Sequence, residues 1–118
     1  MNSNWQTYKG KRVFLADYSH LTIEQVRTEV VEVEKELVKQ LRNSVLLLVK
    51  VERTIISPEA LNLFKNVALH TQPYVRKSAI LGMTGVRRTF IDIVAKFSGM
   101  TVMAFETEAQ ANDWLAKD

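Results

Sequence analysis

Two periodicities alternate along this chain. "WQTY" and "KRVFLAD" place apolar positions on either side of Lys9-Gly10 and predict a short antiparallel hairpin. From Thr22 to Leu41 the apolar residues Ile23, Val26, Val30, Val33, Leu37 and Leu41 step by three and four, which predicts a helix with one buried stripe. Thr22, with Gln25 three residues later, forms a capping-box pattern at its start. "SVLLLVKV" is almost continuously apolar and branched, as a strand covered on both faces must be. Ser57-Pro58 then opens a second helix, with Leu61, Phe64, Val67, Ala68 and Thr71 on its inner side. "SAILGM" predicts another strand. Thr84 or Gly85 starts a helix buried through Val86, Phe90, Ile93, Val94 and Phe97, and "TVMAF" is the last strand. Thr107 caps a closing helix whose Ala111, Trp114 and Leu115 face inward.

The predicted order is β-β-α-β-α-β-α-β-α over one domain, residues 1–118. Strand–helix–strand units with short loops require right-handed crossovers and hence a mostly parallel sheet of about five strands. The fold class is therefore α/β, with the first strand of the hairpin antiparallel at or near an edge and helices on both faces.

Composition narrows the chemistry. Hydrophobic residues at 47% and charged residues at 25% are ordinary for a globular domain. Cysteine is absent, which excludes disulfides, thiolate metal sites and a cysteine nucleophile and fits a reducing compartment. The start of the sequence lacks the basic-then-apolar pattern of a signal peptide, and no apolar run approaches the ~20 residues that span a bilayer. A cytoplasmic protein with no membrane span is expected. The net charge of +3 is unevenly spread. Between Ala60 and Phe105, Lys65, Arg76, Lys77, Arg87, Arg88 and Lys96 stand against Asp92 alone, whereas Asp17 to Gln40 is acidic. Such a split can present a basic face to an anionic partner, although charges of this kind are more often scattered over solvated surfaces.

The element order and the C-terminal third carry a resemblance. "RKSAILGMTG", an amphipathic helix and then "VMAFETEAQANDWL", a strand ending in Phe followed by a Thr-Glu-Ala…Trp-Leu helix, resemble the SpoIIAA-like branch of the STAS superfamily. Its best-known members are bacterial anti-sigma-factor antagonists. The resemblance implies a non-enzymatic regulatory or protein-interaction module, with a serine or threonine phosphorylated where the third strand leads into the second helix. Ser57 and Thr54 occupy that connection here. The motif around them departs from the family's Asp-Ser-Ser/Thr-Gly pattern, because "ERTIISPEAL" has neither Asp-Ser nor glycine. The same branch is sometimes grouped with CRAL-TRIO lipid-transfer domains, which makes a carrier of a small or apolar ligand the alternative. Met83, Met100 and Met103 are then candidate lining residues, though methionine more often fills gaps in a core.

In open parallel sheets ligands bind beyond the carboxyl ends of the strands. That edge should gather Asp17, Tyr18, Ser19 and His20, then Glu52, Arg53, Thr54 and Ser57, then Gly82, Thr84 and Gly85, and finally Glu106. A rim for an anion or a partner is expected at Thr84, Gly85, Arg87, Arg88, Arg53 and His20. Asp17, Ser19 and His20 have the residue types of a hydrolase, but three neighbours in one loop rarely reach triad geometry, so no catalytic residue is expected. His20 and His70 lie on separate elements without carboxylates at ligand spacing, and no motif calls for a metal or cofactor. The two glycines of "AILGMTGVRRTF" make neither a Walker nor a dinucleotide loop; Gly82 is expected to permit close packing at the strand end. Nucleic acid is not expected, since no aromatic residues interleave with the basic ones. A homodimer is expected instead, because Val31, Val38 and Leu63 widen the apolar stripes of their helices.

Overall fold

The computed structural model describes residues 2–53, 57–82, 92, 96 and 102–117. Strands β1 (Asn4–Tyr8), β2 (Lys11–Asp17), β3 (Val45–Lys50), β4 (Val75–Leu81) and β5 (Val102–Phe105) form one sheet in the order β1-β2-β3-β4-β5. β1 runs antiparallel to β2 at the edge, and the remaining pairings are parallel. Helices α1 (Ile23–Leu37) and α2 (Pro58–Thr71) cover one face and α3 (Glu108–Ala116) covers the other. Asp92 and Lys96 are helical and exposed. The rest of the helix predicted from Thr84 or Gly85 lies outside the described residues.

Period-two alternation explains why β3 is apolar throughout. Val45 and Leu47 enter the core beneath α1 and α2, while Leu46 and Leu48 enter the core beneath α3. On α1 the buried stripe is Val26, Val30, Val33 and Leu37. The helix ends at Leu37, short of Leu41, which is 81% exposed. The chain must turn back towards β3 at that point. Asn43 takes a left-handed conformation (φ 55), and the Asn43 and Ser44 amides donate to Pro73 and Tyr74 carbonyls rather than to the helix.

Local signals are met by local bonds. Lys9 (φ 50) and Gly10 (φ 79) form the doubly left-handed two-residue turn that suits a twisted hairpin. Thr22 and Gln25 make both bonds of the capping box, and Ser57 and Thr107 each accept one backbone N–H at the start of α2 and α3. Arg27 pairs with Glu59, and the Glu34 carboxylate lies 2.6 Å from His70 Nδ1, so the parallel helices α1 and α2 are tied at both ends. At the sheet's opposite face Lys77 Nζ donates to the Trp114 and Lys117 carbonyls at 3.0 and 2.7 Å, closing the C-terminal end of α3.

Candidate functional site

The carboxyl ends of β2, β3 and β4 meet in a rim that is knitted together by its own backbone. Tyr18 N donates to Lys50 O at 2.8 Å and Val51 N to Leu81 O at 3.2 Å, carrying the ladders past the last strand residues. Beyond them, Glu52 N donates to Ser19 Oγ at 3.1 Å and His20 N donates to Glu52 O at 2.9 Å. Asp17 Oδ1 accepts from Ser19 N at 3.0 Å, a turn that sets Ser19 towards Glu52. Gly82 completes the seam, with φ +88 and its α-carbon so close to Glu52 that a β-carbon would lie 2.8 Å from Glu52 Cγ and 3.0 Å from Glu52 N.

Two exposed residues here hold unusual backbone angles. His20 has φ 61 and Arg53 has φ 53, the left-handed region that costs a non-glycine residue about 1 kcal/mol. Glu52 lies between them, bonded to one loop and adjacent in sequence to the other. At His20 the strained backbone is held by its own N–H bond to the Glu52 carbonyl, one of the bonds that close the rim.

The expected site residues separate into distinct groups. His20, Arg53 and Ser57 are described, whereas Thr54, Thr84, Gly85, Arg87 and Arg88 lie outside the described residues. The Ser57 hydroxyl accepts from Ala60 N at 3.1 Å and is half-buried as the cap of α2. The Asp17 side chain accepts from Ser19 N and the Ser19 hydroxyl from Glu52 N, and among the described residues the His20 ring makes no hydrogen bond to either. No nucleophile–base pair is assembled there. Among the described residues no three His, Asp or Glu side chains gather as metal ligands.

Among the described residues the loops after β2 and β3 pack on one another at this edge. Ligand crevices in parallel sheets open where the strand order reverses and neighbouring loops diverge to opposite faces. Here the order runs from β1 to β5 without reversal, and both α1 and α2 leave towards the same face, so their preceding loops pack on one another. The interior beneath those helices holds an apolar cavity of about 70 Å³ bordered by Tyr18, Val33, Leu47, Phe64, Ile80 and Val102. As bordered by the described residues it is smaller than the roughly 300–1,000 Å³ typical of pockets for organic ligands. Met103, one of the proposed lining methionines, is exposed and does not border it. Burial raises the Tyr18 hydroxyl above the ordinary tyrosine range, with the Glu29 charge adding to the shift.

Glu29 itself escaped the sequence reading. It is only 5% exposed, and its carboxylate accepts from Ser3 N at 2.9 Å, Ser3 Oγ at 2.6 Å and Asn2 N at 3.2 Å. The signal was available, since Glu29 stands three residues after Val26 and four before Val33, inside the apolar stripe.

Together these features define a five-stranded α/β domain with a SpoIIAA-like fold. A solved structure from Shewanella loihica, described as an uncharacterized protein of the DUF3478 family with a SpoIIAA-like fold, superposes with a TM-score of 0.76. The match covers 97% of this chain and 92% of that one at 16% identity, a likeness of fold. No protein-family profile matches the chain, and no curated protein matches it. No helix among the described residues is long and apolar enough to cross a membrane.

Proposed function

We propose that this chain is a non-enzymatic STAS-like interaction module that meets a protein partner with the rim at the carboxyl ends of its parallel strands. The observation that carries this is the pair of strained residues, His20 and Arg53, held in left-handed conformations and exposed on adjoining loops. Strain of this kind persists where the side chain's direction matters more than the local energy. A rim whose described loops pack on one another suits a protein surface better than a small substrate. In the regulatory form of this reading Ser57 receives a phosphoryl group, since a helix N-terminus meets a phosphate with N–H groups and a favourable dipole.

The test uses glycine, which relieves left-handed strain while deleting the contact. The His20→Gly/Arg53→Gly double variant should match or exceed the wild type in urea stability, within about 1 kcal/mol. In affinity purification from the native cells it should lose a partner that the wild type retains at stoichiometric yield. A partner held equally by the variant, or none held by the wild type, overturns the proposal.

Self-association is a second reading, favoured by Val31 on α1 and Val38 at its C-terminal cap, which are 49% and 42% exposed. Val31 also borders a groove between α1 and α2 with Val30, Leu63 and Val67. Light scattering should give twice the 13.5 kDa chain mass, returning to one chain in Val31→Lys/Val38→Lys. A wild type that is monomeric at high micromolar concentration removes this reading.

A further inference from the structure

At the β1 edge of the sheet the direction of each backbone group follows from the ladder. Tyr18 N donates to Lys50 O, so the even-numbered residues of β2 turn their backbone groups towards β3. The odd-numbered ones, Lys11, Val13 and Leu15, therefore turn theirs towards β1, opposite Tyr8, Gln6 and Asn4. That leaves the N–H and C=O groups of Trp5 and Thr7 pointing away from the sheet. The row ends on both sides, because Ser3 N is taken by Glu29 at 2.9 Å and Lys9 begins the left-handed turn.

Nothing in the strand guards this edge. Sheets that must stay single blunt an open edge with proline, charged side chains or a bulge. From Asn2 to Tyr8 the sequence is uncharged and has no proline, and β1 pairs with β2 in unbroken register. Thr7 is exposed and Trp5 half-buried. Among the described residues no element other than β2 pairs with β1.

We propose that β1 pairs antiparallel with β1 of a second copy, joining the two five-stranded sheets into one. The two-fold axis passes between the two Gln6 residues, so Trp5 of each chain lies opposite Thr7 of the other. This register uses all four outward groups of each copy, and a slip of two residues either way pairs fewer of them. It also sets an aromatic ring against a β-branched side chain on both sides of the axis. Charge favours a second copy over a foreign strand. On the face beneath α1, Arg12 stands beside Thr7 and over its own Trp5 ring at 4.2 Å, and Glu36 accepts from Trp5 Nε1 at 2.9 Å. Thr7 meets the other chain's Trp5, which brings each Arg12 towards the second copy's Glu36, twice by symmetry. This edge is separate from the rim at His20 and Arg53, and it assigns self-association to β1 in place of the surface at Val31 and Val38.

The chain has no cysteine, so a single one reports on the axis. Gln6 and its copy form a non-hydrogen-bonded pair with α-carbons about 4.5 Å apart, within disulfide range. Asn4 and its copy lie roughly 13 Å apart along the strands, outside it. Under mild oxidation of the full chain at high micromolar concentration, Gln6→Cys should give a disulfide-linked dimer and Asn4→Cys should stay single. Adding Thr7→Pro removes an outward N–H and no bond to β2, so it should abolish the Gln6→Cys link while the melting temperature stays within a few degrees. Adding Val31→Lys/Val38→Lys should leave the link intact. Equal linking at positions 4 and 6, a link that survives Thr7→Pro, or one lost with the α1 substitutions overturns the proposal. So does the absence of any link, including a β1 edge that takes up a strand of another protein instead. The comparison of the two cysteine positions decides the matter without Thr7→Pro, should that variant melt early.

Discussion

Replacing Gly82 by alanine should cost this domain roughly 3 kcal/mol of stability, combining about 1–2 kcal/mol for a non-glycine residue at φ +88 with a steric term of similar size. The Glu52 Cγ atom, 2.8 Å from the new β-carbon, belongs to an exposed side chain and can swing away. The Glu52 backbone cannot. Its amide nitrogen at 3.0 Å and α-carbon at 3.1 Å are fixed by the bonds to Ser19 Oγ and from His20 N. Relief would require breaking that seam. Urea unfolding should show a lower midpoint with an unchanged slope, and the melting temperature should fall by about 10–15 °C. A loss below about 1 kcal/mol would mean that Gly82 and Glu52 are not packed as described.

Glu29→Ala should cost a comparable amount, roughly 2–4 kcal/mol, because it removes the acceptor for three donors at once. The carboxylate replaces its lost water with Ser3 N, Ser3 Oγ and Asn2 N, and among the described residues no cation pairs with it. Ser3 Oγ also accepts from Asp17 N at 3.0 Å, so the same hydroxyl links α1 to the end of β2. Glu29→Gln retains one oxygen but turns an amide donor towards an N–H, and it should cost about half as much as alanine. In a double-mutant cycle with Ser3→Ala the two losses should overlap by about 1–2 kcal/mol. Purely additive losses would show that Ser3 and Glu29 act separately.

These two predictions lie at different distances from what periodicity can show. Gly82 was marked by its place at a strand end, and its packing role was expected from the sequence. Glu29 reads as one more charge on an acidic helix until the N-terminal segment is folded against it. The same division runs through the candidate sites. Ser57 was placed at the start of α2 by Ser-Pro alone, and its hydroxyl does cap that helix. The left-handed angles of His20 and Arg53 had no comparable marker. His20 is held there by its bond to the Glu52 carbonyl, which only the parallel pairing of β2 with β3 brings close.

Short-range physics thus determined a large part of this protein from sequence: the two-residue hairpin turn, the capped helices, the doubly buried β3 and the α/β order. Each depends on groups within a few residues of one another, where side-chain period, φ preference and an N-cap oxygen act directly. The tertiary structure decided the rest. It stopped α1 before Leu41, bonded the loop after β2 to the loop after β3 and buried Glu29 against Ser3. Those outcomes depend on strand order and register, which bring together residues far apart in the chain. A charge has no period that reveals which distant neighbour it will meet.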